Sequence, residues 1–107
     1  MIVADPPPLR MTLAEFQHSQ THPTPPSDLS LALQSLWHDA KGDWNKAHDL
    51  AQEAGDSSGD WVHAYLHRKE GDESNARYWY TRAGKPAYSG SLQDEWAAIS
   101  EALLAKR

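Results

Sequence analysis

An all-α fold, a compact bundle of about six helices built around two helical hairpins with a C-terminal capping helix, is predicted by three observations. Apolar residues recur at helical spacing in successive segments, each preceded by a Ser, Thr or Asp suited to capping and several closed by Gly. Shifting the chain by 29 residues against itself superposes Gly42-Asp43 on Gly71-Asp72 and Gly55 on Gly84. Five Trp and four Tyr supply large apolar bodies to a chain whose mean hydropathy is only -0.74, so a core of few, big side chains suffices.

The 107 residues fit one domain, spanning 1–107. Residues 5–8, DPPP, cannot be helical, and Thr12-x-x-Glu15 has capping-box spacing within an N-terminal helix over 9–20. Leu9, Leu13 and Phe16 form its apolar stripe. The proline-rich stretch over 21–27 is an extended linker, because each residue before a proline is pushed out of the helical region.

Hairpin one covers 28–55. Ser27 or Asp28 caps its first helix, which places Leu29, Ala32, Leu33, Leu36, Trp37 and Ala40 on one arc and runs to about Lys41. Gly42 stops it, Asp43 caps the next, and Trp44, Ala47, Leu50, Ala51 and Ala54 lie on one side of that helix before Gly55. After a loop, AGDSSGD, hairpin two covers 60–84, with Asp60 capping a helix from Trp61 to Glu70. Gly71-Asp72 repeats the stop and start, and the following helix presents Ala76, Trp79, Tyr80 and Ala83. Ser91-x-x-Asp94 opens the capping helix over 91–106, where Leu92, Trp96, Ile99 and Leu103 make a continuous stripe and Lys106 and Arg107 suit the C-terminal end.

The 29-residue register also aligns Ala47 with Ala76, Ala54 with Ala83 and His38 with His67. Alanines at that spacing let paired helices approach closely. The pattern Gly-x4-Ala-x6-Ala resembles the tetratricopeptide class of repeats, and residues 75–84, NARYWYTRAG, resemble its Sel1-like branch. That resemblance implies a small bacterial protein of stacked hairpins that binds partners, and it brings no activity with it.

Composition narrows the function. The absence of Cys removes disulfides and thiolate metal sites. A net charge of -5, with ten Lys and Arg scattered among fifteen acids, argues against nucleic acid. No basic and apolar leader and no run of about 20 apolar residues occurs, so a soluble, cytoplasmic protein without membrane contact is expected. The serines lack a Gly-x-Ser-x-Gly turn, no Gly-x4-Gly-Lys loop is present, and the carboxylates fall at caps or on polar faces; no enzyme and no cofactor are expected.

Candidate binding residues are few. His63 and His67 lie one helical turn apart and Glu70 continues their line, a set able to offer two imidazoles and a carboxylate to zinc, nickel or copper, with His38 as a contributor from the preceding hairpin. With Trp61, Val62, Tyr65 and Leu66 as the buried arc, both histidines fall on the polar side; in the strict repeat register they point inward. Tyr78 lies opposite the Ala76, Trp79, Tyr80 and Ala83 face, flanked by Arg77 and Arg82. The expectation is a noncatalytic protein-interaction module that binds a peptide or protein partner, or itself as a homo-oligomer, through His38, His63, His67, Arg77 and Tyr78. The alternative is a small-ligand or metal-binding protein using His38, His63, His67 and neighbouring aromatics as a groove, with His63, His67 and Glu70 as the metal set.

Overall fold

The computed structural model describes residues 11–106, which form six helices and no strand: α1 (Leu13–Ser19), α2 (Leu31–Ala40), α3 (Trp44–Ala54), α4 (Ser57–Lys69), α5 (Glu73–Ala83) and α6 (Leu92–Ala105). Leu9, the prolines at 6–8 and Arg107 lie outside the described residues.

Capping chemistry sets the helix starts. In the predicted box, Thr12 N–H donates to Glu15 Oε1 at 2.9 Å and Glu15 N–H donates to Thr12 Oγ1 at 3.1 Å. Asp43 and Asp72 accept from the backbone three residues on, as does Ser91 at the head of α6. Three starts differ from the sequence reading. Helix α1 begins at Leu13, after its Thr12 cap, so Met11 and Thr12 of the expected 9–20 segment are not helical. Asp28 adopts a left-handed φ of 71°, unlike the extended backbone found at most caps here, and α2 begins instead after Ser30. Helix α4 begins one turn early, after Asp56 rather than Asp60, so Ser57-Ser58-Gly59 is helical despite its loop-like composition. Packing decides this: a Cβ on Gly59 would sit 2.7 Å from both Ala51 O and Ala54 Cβ, so only glycine lets α4 lie this close to α3.

The internal repeat extends to the backbone. Gly42 and Gly71 have φ of 88° and 91°, and the following Asp amides donate to His38 O at 3.0 Å and to His67 O at 2.9 Å. Positive φ is needed to reverse the chain within so few residues, which is why glycine stands at both turns.

The main core joins Phe16 of α1, Leu33, Leu36 and Trp37 of α2, Val62, Tyr65 and Leu66 of α4, and Trp96, Ile99 and Leu103 of α6. Phe16 and Trp96 stack with ring centroids 5.5 Å apart. The buried indoles are satisfied: Trp37 Nε1 donates to Ser19 Oγ at 3.1 Å and Trp96 Nε1 to Leu36 O at 2.9 Å. Ala40, assigned to the buried arc of α2 from its spacing, is exposed, while Ser35 and Asp39 are buried.

Helix α4 packs against α2, α3, α5 and α6 at once. Every residue from Val62 to His67 is buried, so the polar groups on and around it pair within the bundle. Tyr65 OH and Lys69 Nζ donate to the buried carboxylate of Asp39 on α2, at 2.8 and 3.0 Å. Arg68 donates to Glu95 of α6 at 2.9 Å and to the Gly90 carbonyl, while Tyr80 of α5 donates to the other oxygen of Glu95, which is fully buried. Burial first, then the carboxylates, push the Tyr65 and Tyr80 phenols well above the ordinary tyrosine range, so both remain donors.

Two stability outcomes follow. Gly59→Ala should cost about 1 to 3 kcal/mol by overpacking α3 against α4, although alanine gains about 1 kcal/mol in helix propensity; a urea midpoint at or above that of the unaltered protein would contradict the close approach. Arg68→Ala should cost about 3 to 5 kcal/mol because it strands a buried carboxylate, and replacing Arg68 and Glu95 together by Met should cost much less than the two single changes summed.

Candidate functional site

Three imidazoles meet between α3 and α4. Helix α3 is fixed by the Asp43 cap and by Trp44, whose Nε1 donates to Leu66 O on α4 at 2.9 Å. That bond sets the rotation of α3 so that His48, one turn after Trp44, faces His63 and His67. The Nε2 atoms of His48 and His63 are 2.9 Å apart, so with both rings neutral one donates and the other accepts. A ring nitrogen from each of His48, His63 and His67 lies within 4.8 Å of the others. His67 Nδ1 is engaged by Glu70 Oε2 at 2.7 Å, which orients the ring and leaves Nε2 as its unengaged nitrogen.

Indoles hold this cluster on both sides. Trp79 of α5 stacks on His63 with centroids 3.9 Å apart, and Trp44 stacks on His48 at 4.9 Å. His63 and His67 stack on each other at 4.7 Å. Beside His63 and Trp79 a cavity of about 200 Å³ is also lined by Gln52, Gly55, Asp60 and Arg82.

The surroundings disfavour protonation. His63 is 2 % exposed, and burial, followed by its histidine neighbours, lowers its proton affinity to a pKa of about 4. His48 is lowered by burial and by His67, against the pull of Asp49 and Glu70. His48 and His63 are thus both held toward the neutral form.

The placement differs from the sequence expectation. His63 and His67 are buried, as the repeat register has them and not on the polar side that the wheel gave, because α3 and α5 cover that face. His38 does not join them; it is half-buried with its ring edge-on to Trp37, and burial and Lys46 lower its proton affinity. Glu70 pairs with His67 rather than standing as a third donor beside both histidines. The partner missed was His48, and one signal for it was available: it lies one turn from Trp44 and next to Ala47 on the edge of the apolar arc of α3. Trp79, expected in the core, is only partly buried. Arg77 and Tyr78 are exposed.

No known protein family, curated protein or solved structure matches this chain. Among the described residues, no helix is long and apolar enough to cross a membrane.

Acidification should destabilise the protein. A histidine whose folded pKa lies near 4 against 6.5 unfolded stabilises the fold fully above pH 6.5 and loses that contribution as pH falls toward 4. Its titratable neighbours His48 and His67 lower it further, while Asp49 and Glu70 act on His48 in the opposite sense. Urea midpoints should fall between pH 7 and pH 4.5, and replacing His63 by Phe should flatten that dependence; an equal fall in the variant would assign the effect elsewhere.

Proposed function

We propose that this protein is a noncatalytic interaction module that receives a peptide or protein segment on the outer face of α5. The observation that carries the reading is Tyr78, the only large hydrophobic side chain exposed among the described residues, at 54 %. Its ring meets Trp79 edge-on with centroids 5.1 Å apart, and the Arg82 guanidinium lies over both rings while donating to Tyr78 OH at 3.3 Å. Tyrosine, tryptophan and arginine are the side chains that dominate binding energy at protein interfaces. Here they are held together before any partner arrives.

The repeat supports the same surface. In hairpin one, His48 packs α3 onto the helix that follows; the equivalent position in hairpin two is Arg77, which is exposed, and α6 packs instead on α1, α2 and α4. A face that the first hairpin uses for stacking is therefore open on the second. The likeness to tetratricopeptide and Sel1-like repeats points the same way, toward binding by stacked hairpins in the cytoplasm of a bacterium. Arg77 and Arg82 favour a partner segment bearing carboxylates, with self-association as the competing outcome.

The test is partner capture. A photo-crosslinking residue at Arg77 should trap one recurring protein in cells of origin, and Tyr78→Ala should weaken that complex about tenfold or more while leaving the melting temperature within a few degrees. A strict monomer by light scattering that yields no cross-linked species would overturn the reading.

A further inference from the structure

We infer that His48, His63 and His67 form a binding site for one divalent first-row transition-metal ion, of the imidazole-preferring group zinc, copper and nickel. The site touches the Tyr78 surface only through Trp79, which stacks on His63 and meets Tyr78 edge-on, and it stands without that surface as a binding face.

The geometry supplies donors of one kind. Three imidazole nitrogens within 4.8 Å of each other bracket the spacing of about 3.4 Å that a tetrahedral ion with metal–nitrogen bonds of about 2.1 Å demands. The closest pair, His48 Nε2 and His63 Nε2, is at 2.9 Å, a separation that opens by a small rotation of His48, the half-buried ring of the three. Their side chains come from two helices whose relative placement is fixed by the Trp44 bond to Leu66 O and by the glycine contact at Gly59. The ion therefore meets ligands that are largely ordered in advance.

The support around the ligands is of the kind that metal sites use. Glu70 accepts from His67 Nδ1, so Nε2 is presented as the donor and the ring is made more basic, the arrangement by which carboxylates orient ligating histidines. Stacking on Trp79 and Trp44 restricts the planes of His63 and His67's other neighbour His48. An all-nitrogen set excludes the hard ions calcium and magnesium, which take oxygen ligands, and the affinity order predicts copper above nickel and zinc. Three protein ligands leave a fourth position for water or an external ligand. Glu70 thus acts as a positioning residue and not as the third donor, and His38 takes no part.

A packing explanation competes, in which the three rings simply fill the seam between two helices. It predicts no saturable metal binding. The full-length protein, stripped with chelator and dialysed, is titrated with zinc chloride by calorimetry and melted with and without the ion. The expected result is one ion per chain, a melting temperature raised by about 10 °C at zinc a hundredfold above the dissociation constant, and no response to magnesium. His48→Ala should weaken binding at least about tenfold, Glu70→Gln by roughly 10- to 100-fold, and His38→Ala and Tyr78→Ala should leave it unchanged. Because His63 and His67 are buried and their variants can misfold, the unaltered protein carries a second readout: ring resonances of His48, His63 and His67, but not of His18, His22 or His38, should shift on adding zinc and broaden on adding copper. No heat and no melting shift with zinc or copper, or ring shifts confined to His18, His22 and His38, would overturn the site.

Discussion

Helix α4 is covered by four other helices, and the rest of the fold answers to the polar side chains that it carries inward. A helix buried on most of its circumference usually reads as apolar all round, yet between Val62 and Lys69 this one has two histidines, a tyrosine, an arginine and a lysine. Each buried polar group needs a partner, because an unpaired one costs roughly 1 to 3 kcal/mol or more. The neighbours supply them: Asp39 from α2, His48 from α3 and Glu95 from α6, the last shared with Tyr80 of α5. The hydrophobic effect gathers the helices, and these pairings fix their rotation and register.

The same constraint explains why the two hairpins share a backbone but not a chemistry. Both turn on a glycine at positive φ followed by a capping aspartate. Helix α3 lies between α2 and α4, so its second face is packed and carries an imidazole; α5 ends the row, and the corresponding residue is an exposed arginine beside Tyr78. The exposed Tyr78 face of α5 and the cluster of imidazoles between α3 and α4 are two consequences of one stacking order.

Trp44, Trp79 and Trp61 illustrate how the aromatic residues divide their work. Trp44 ties α3 to a carbonyl of α4, Trp79 covers His63 from the side of α5, and Lys85 sits 4.3 Å from the centre of the Trp61 ring at the edge of the second hairpin. None of the three is fully buried. A large side chain with a polar handle can close a seam at its rim, where an aliphatic residue would leave either a gap or an exposed apolar patch.

Much of the architecture was legible in the residues themselves. Six helices, the capping box at Thr12, the glycine turns at 42 and 71 and the apolar stripe of α6 follow from local rules: side-chain oxygens satisfy free amides, glycine tolerates positive φ, and apolar spacing marks the inner face. Such rules act within a few residues, so one chain is enough to apply them. The early start of α4 at Ser57, the burial of His63 and His67, and the choice of His48 over His38 as their neighbour were decided by tertiary packing. A helical wheel assigns one inner face, but α4 has several, because helices lie on nearly every side of it; which imidazoles meet depends on how α3 is rotated, and that rotation is set by a tryptophan reaching a carbonyl 22 residues away in the chain.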